Sequence, residues 1–292
     1  MTAREEPGEP KPRLRTFSSL DSRDFVHPWE TEASANLRRV PGLDFATKKA
    51  MELGLERIYY LQNIGDNVRV TSTMFPRLHR YLNWGCEILK MPVPELYVSL
   101  TEEFGSRTYG HDKPFIVLGA ELVEMLDEEE RFYVIAHELG HIKAEHMLYT
   151  ILAENTALLL DLIGKATFGL GSLMGVGLAI PLLDWYRKAA LTADRAALLC
   201  VQDVDVPVRV FMKLAGGATG LYSEMDKEAF LQQIRSYEDR EAELLDRAYR
   251  LLITVLRSSP FPIMRTKHLD EWVRGGGYAR LLSKAYGEVS SP

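Results

Sequence analysis

Cysteine is nearly absent from this sequence: Cys86 and Cys200 are the only two in 292 residues. That usage belongs to a reducing compartment and excludes a small disulfide-stapled scaffold, so both are expected as buried thiols. An excess of positive charge is missing too. Against 41 acidic residues stand 35 basic ones, giving a formal charge of −6, and no basic face gathers them. A nucleic-acid partner is therefore not expected, and nothing favours an anionic membrane surface. Met1 to Leu20 lacks the apolar stretch of a signal peptide and sets Glu5, Glu6 and Glu9 among Pro7, Pro10 and Pro12. Residues 1–20 are read as a disordered tail. The rest, 21–292, is read as one domain, because 46% hydrophobic content is ample for a packed core.

Long apolar runs are scarce, with one exception. Ala166 to Leu183 carries no charge and approaches the roughly 20 residues of a membrane span. Gly169, Gly171, Gly175, Gly177 and Pro181 interrupt it, and Asp161, Lys165 and Asp184 crowd its ends. A buried hairpin of two short helices is preferred to a membrane-inserted or re-entrant segment.

Before that run, Phe45 to Arg57 reads as a helix, Ile58 to Thr71 as two short strands about Gly65-Asp66-Asn67, and Thr73 to Lys90 as an amphipathic helix. Glu95 to Leu100 alternates as a strand, and Arg107 to Tyr109 and Pro114 to Leu118 look like two more, which makes a small sheet. Asp127 with Glu130 has the form of a capping box, and Phe132, Ile135, Leu139 and Ile142 follow at helical spacing. Helices are also read over Asp184 to Cys200 and in the remainder, notably Asp226 to Arg257.

Inside the capped helix lies His137-Glu138-Leu139-Gly140-His141. Residues four apart on a helix are turned by about 400°, so both imidazoles can point at one ion such as zinc. Glu138, about 100° round, is placed to take a proton from water rather than to ligate. A chance match is the competing reading, but two buried histidines and a glutamate in an apolar helix would be costly without a partner. A third protein donor is needed, and in the gluzincin branch it comes from a second helix as Glu-x-x-x-Asp. Here the candidate helix carries Asp194, and four residues before it stands Ala190, which cannot coordinate.

The chain resembles the HtpX and CAAX-prenyl-protease family of zinc metallopeptidases, peptidase family forty-eight, and in particular its soluble bacterial members. The resemblance rests on His27-Pro-Trp-Glu30, Pro94-Glu-Leu-Tyr97, the HELGH helix, Tyr186-Arg-Lys with Thr192-Ala-Asp-Arg-Ala196, Lys213-Leu-Ala-Gly-Gly217 and Pro260-Phe-Pro-Ile-Met-Arg265. It implies a mostly α, α+β gluzincin fold, with a small mixed or antiparallel sheet, a helical C-terminal part, and peptide laid along an edge strand. It further implies one zinc ion per chain held by His137 and His141, Glu138 as catalytic base, Asp194 supporting a ligand histidine, and Arg265, Tyr186 and Arg187 as cleft residues. Two departures stand out besides Ala190. Ser259 sits where relatives carry histidine, and Ser106-Arg-Thr-Tyr-Gly110 lacks the Asn-Ala often found on the edge strand.

Three readings of Ala190 stay open: an introduced inactivating substitution, a natural pseudopeptidase serving as a peptide-binding scaffold, or a site completed by another residue. The intact Glu138, Arg187 and Asp194 favour the first, and Ser259 favours the second. Elsewhere His146 is expected to make a structural hydrogen bond, His27 to fix the start of the fold, and His79, His111 and His268 to lie on the surface or in loops. The function expected is hydrolysis of peptide bonds in protein or peptide substrates, impaired in this chain, in the cytoplasm or alternatively at a membrane through 166–183.

Overall fold

The computed structural model describes residues 14–101, 105–158, 161, 171–217, 219–239 and 260–289. Its elements run β1 Leu14–Phe17, α1 Pro28–Leu37, α2 Leu43–Glu52, α3 Leu55–Asp66, β2 Val68–Arg69, α4 Pro76–Leu89, β3 Glu95–Ser99, β4 Ser106–Tyr109, β5 Phe115–Gly119, α5 Ala120–Met125, α6 Glu128–Lys143 and α7 Met147–Glu154. They continue with α8 Gly171–Val201, α9 Asp205–Gly216, α10 Lys227–Asp239, α11 Pro262–Arg274, α12 Gly277–Leu282 and β6 Ala285–Val289. The expected α+β class, mostly helical with a small sheet, is the observed one.

Four strands form the main sheet in the order β2-β3-β5-β4, with β3 and β5 parallel and β4 antiparallel at the edge. Period-two alternation sorts the side chains of this sheet onto two faces. Leu96, Ile116 and Leu118 join the principal core with Ile135, Ala136 and Leu139 of α6, whereas Tyr97, Phe115 and Val117 pack against Tyr59 and Tyr60 of α3. One face thus seats the helix that carries the HELGH motif, and β4 lies along it.

That helix is the best specified element in the chain. Asp127 Oδ1 accepts from the Glu130 main-chain N–H at 3.0 Å, and Glu130 Oε2 accepts from that of Asp127 at 2.8 Å, the capping box that the spacing predicts. Glu128, Glu129 and Glu130 in the first turn also complement the helix dipole. Against α6 packs α8, and the approach is close because both surfaces are stripped of side chain. A Cβ added to Gly140 would sit 2.8 Å from Ala196 Cβ and 2.9 Å from Ala193 Cα, so the glycine of the motif and the alanines of the second segment are a matched pair.

Three expectations are corrected. Residues 14–20 are not a tail: β1 pairs with β6 in a separate two-stranded sheet, Phe17 and Leu20 are buried, and Gln202 clamps Arg15 through both its main-chain N–H and C=O. Ala285–Val289 is correspondingly a strand rather than helix. Ile58 to Asp66 is helical, not the first of two strands, because Leu55, Tyr59 and Asn63 recur at helical spacing toward the interior and the aromatic pair caps the sheet. Gly171 to Leu183 continues without a turn into α8 with Pro181 inside the helix, which replaces the expected hairpin over those residues. Residues 162–170 and 240–259, which include Ser259, lie outside the described part. Cys86 and Cys200 are buried free thiols. Among the described residues no helix is long and apolar enough to cross a membrane.

Candidate metal and catalytic site

A cavity of about 610 Å³ opens where α6, α8, β4 and α11 meet, and His137, Glu138, His141, Tyr186, Ala190 and Arg265 all line it. Three stretches of sequence, α6, α8 and α11, supply these six residues to one surface. Tyr186 and Ala190 share the cavity because residues four apart on α8 share a face. Arg187, about 100° round the helix, does not line it. It is buried and pairs with Asp184 at 3.6 Å, so its expected place in the cleft is not observed.

Asp194 stands behind His137. It is 1% exposed and accepts from Tyr133 Oη at 3.0 Å and from Arg265 through Nε at 2.8 Å and Nη2 at 2.5 Å. Burial pushes its carboxyl pKa up, but the charge and hydrogen bonds of Arg265, with His137, outweigh that and hold it well below the ordinary carboxylate range. His137 Nδ1 lies 2.9 Å from Asp194 Oδ1. An ionised carboxylate can only accept, so His137 Nδ1 donates to it and Nε2 is the ring nitrogen left for a ligand. Arg265 Nη2, 3.3 Å from the same nitrogen, is a neighbour of that N–H and is anchored by Asp194.

His141 keeps an edge at the cavity but is otherwise surrounded by protein. Burial, then the neighbouring His137 and His146, hold its pKa well below the ordinary imidazole value, and it is neutral. The rings of His137 and His141 lie 4.9 Å apart, centroid to centroid.

Glu138 is the most tightly held of the three. Ser106 Oγ donates to Oε1 at 2.7 Å and Thr108 Oγ1 to Oε2 at 2.6 Å. Both hydroxyls come from the inward face of β4, two residues apart, as a strand requires. Sequence reading singled out this strand for its missing Asn-Ala and overlooked these hydroxyls; two hydroxyl residues at i and i+2 on an edge strand are the signal. Tyr133 and Glu154 were missed as well. Glu154 lines the cavity, receives Arg107 Nη1 at 3.1 Å and Tyr186 Oη at 3.3 Å, and with burial pushes the Tyr186 phenol up.

The donor set fits zinc only in part. Two imidazoles at one cavity suit the ion, but the α8 position on the same wall is Ala190. Among the described residues no three His, Cys, Asp or Glu side chains are grouped to hold a metal.

The other histidines divide. His27 caps α1 by accepting the Trp29 main-chain N–H at Nδ1, as a residue fixing the start of the fold would. His146 makes the expected hydrogen bond. His268 is a correction: it is buried in α11, with Nδ1 3.1 Å from Glu271 and its ring 4.2 Å from that of Trp29.

Residues 77–273 match peptidase family M48. The chain is 37% identical over 271 residues to the plastoglobule-localized metallopeptidase 48, chloroplastic, of Arabidopsis thaliana, an alignment covering 92% of this chain and 78% of that protein. No solved structure matches it. With a family match that runs from α4 into α11 and a metallopeptidase relative aligned over 92% of this chain, the chain belongs to peptidase family M48, a family of metallopeptidases.

Proposed function

We propose that this chain has the framework of a zinc metalloendopeptidase and that Ala190, in place of the third ligand, leaves it impaired in zinc binding and in hydrolysis. The observation that carries the reading is the position of Ala190 on the same cavity wall as His137, Glu138 and His141, with the Asp194–Arg265 support behind them complete. A completed site would supply a Lewis acid to polarise the scissile carbonyl and bring the pKa of water down towards about 7.

The rest falls to the protein's own groups. Glu138 takes a proton from water and returns it to the leaving amine, and Ser106 and Thr108 hold its carboxylate at the sheet edge. A peptide adds as a strand beside β4, which reads backbone more than side chain and leaves sequence preference open. Cytoplasmic residence is part of this reading, supported by two buried unpaired thiols.

The test is metal analysis and peptide hydrolysis by this chain beside Ala190→Glu. One zinc per chain and cleavage appearing only with the glutamate support the reading. Zinc without cleavage in both forms would favour instead a pseudopeptidase that binds peptide as a scaffold.

A further inference from the structure

Arg195 follows Asp194 on α8, so its side chain is turned by about 100° from the support of His137. It lines a second cavity, of about 440 Å³, together with His27 and Trp29 at the start of α1 and Lys267, His268 and Trp272 of α11. None of these six lines the catalytic cavity.

The Arg195 guanidinium is held there without being neutralised. Nη1 donates to the main-chain oxygens of Phe25 at 3.4 Å and Val26 at 2.9 Å, and the group lies over the Trp272 ring, 5.0 Å from its centroid. Among the described residues no carboxylate comes within ion-pair distance of it. The carboxylate on this wall, Glu271, instead faces Lys267 at 3.9 Å and His268 Nδ1 at 3.1 Å. Burial lowers the Arg195 pKa to about 10 from 12.5, and the group stays charged at neutral pH. Nη2 makes no hydrogen bond among the described residues. Arg195 Nε and His268 Nε2 are buried without partners.

A half-buried cation with no counter-charge is costly, and buried polar atoms normally find partners. Both shortfalls fall on one cavity. The remaining walls are largely rings: Trp29, 45% exposed, lies 4.2 Å from His268, and His27 lies 5.0 Å from the same ring, centroid to centroid. Rings around a concave surface with one convergent charge are the make-up of a small-molecule site.

We propose that this cavity binds a small monocarboxylate carried on a planar apolar body, with the carboxylate on Arg195 and the body against Trp29. Charge selects the monoanion. Arg195 and Lys267 stand against Glu271, and burial holds His27 and His268 below the ordinary imidazole pKa, so the wall carries a single positive charge in excess. A phosphate dianion would meet Glu271 with no second unpaired cation to offset it. The volume is that of a small-molecule pocket, which favours a small acid over the end of a polypeptide. The site is separate from the metal donors, so it stands whether or not Ala190→Glu takes up zinc.

Ligand-observed NMR titration of the metal-free full chain with cinnamate at neutral pH tests the site. A dissociation constant below about 1 mM is expected, at least about tenfold tighter than for uncharged cinnamamide. No binding at that level, or equal affinity for the two, overturns the proposal. Arg195→Gln removes the charge but keeps a donor for the main-chain oxygens. It should weaken cinnamate about tenfold and leave cinnamamide within about twofold. Trp29→Leu, at an exposed position, should weaken both about three- to tenfold. Unchanged cinnamate affinity in both variants places the ligand elsewhere and overturns the proposal. If Arg195→Gln does not fold by circular dichroism, Trp29→Leu and the cinnamamide comparison decide. Displacement of cinnamate by equimolar inorganic phosphate, or tighter binding of a tripeptide ending in a free tryptophan carboxylate, also overturns it.

Discussion

Thr108 Oγ1 lies 2.6 Å from Glu138 Oε2, joining the edge strand of the sheet to the motif helix. With Ser106 on the other oxygen, the carboxylate is gripped from the side on which a peptide would lie. Under the proposed function a peptide adds beside the same strand, and β4 then joins the substrate to the group that holds Glu138.

Thr108→Val keeps the shape of the strand and removes one grip. In the Ala190→Glu form kcat should drop on the order of 10-fold, with zinc affinity unchanged within about twofold, because the Thr108 hydroxyl bonds Glu138 rather than a histidine. Steady-state kinetics and chelator competition together check this. A fall in zinc affinity matching the fall in kcat would show a general disturbance of the site instead.

Gly140→Ala tests the close approach of α6 and α8. The new Cβ would lie 2.8 Å from Ala196 Cβ and 2.9 Å from Ala193 Cα, and main chain cannot yield as a side-chain tip can. A loss of about 1–3 kcal/mol of stability is expected, the range for overpacking, read as a lower urea midpoint. Gly65→Ala, at a position where an added Cβ meets nothing, serves as the control.

Asp194 gives the chain an acid-labile component. Its folded carboxyl titrates below the unfolded value of 3.8, so the stabilisation is fully present above that pH and is lost as pH falls from there through the folded value. Asp194→Asn removes this dependence. It also leaves Arg265 buried without its counter-charge, at a cost of about 3–5 kcal/mol. Urea unfolding at pH 7 and at pH 3 should show the variant much weaker at the first and closer to the parent at the second.

His27 acts at milder acidity. Burial, then the charges of Arg195 and His268, lower its pKa to about 3 from 6.5. The unfolded chain therefore binds the extra proton first, and stability declines as pH falls from 6.5 towards 3. Protonation also removes the lone pair that caps α1. His27→Asn keeps a capping acceptor without titrating, so its stability profile should be flatter across that window. A parallel profile would place the acid sensitivity at other groups.

The sequence by itself determined the motif helix and the class of chemistry. The capping box, the apolar period and the His-x-x-x-His spacing are local, and a helix converts such spacing directly into a shared face. Ala190 was legible for the same reason, four residues before Asp194. Tertiary structure alone decided what those residues meet. Whether 58–66 was strand or helix depended on the sheet face that Tyr59 and Tyr60 cover, and residues 14–20 became ordered only because β6 and Gln202 receive them. The partners of the site, Ser106 and Thr108 on Glu138 and Glu30 on His146, come from strands and helices distant in sequence. Their hydrogen bonds exist only once packing has removed water from both ends; the i, i+2 spacing of Ser106 and Thr108 marks the pair of hydroxyls but not the carboxylate they meet.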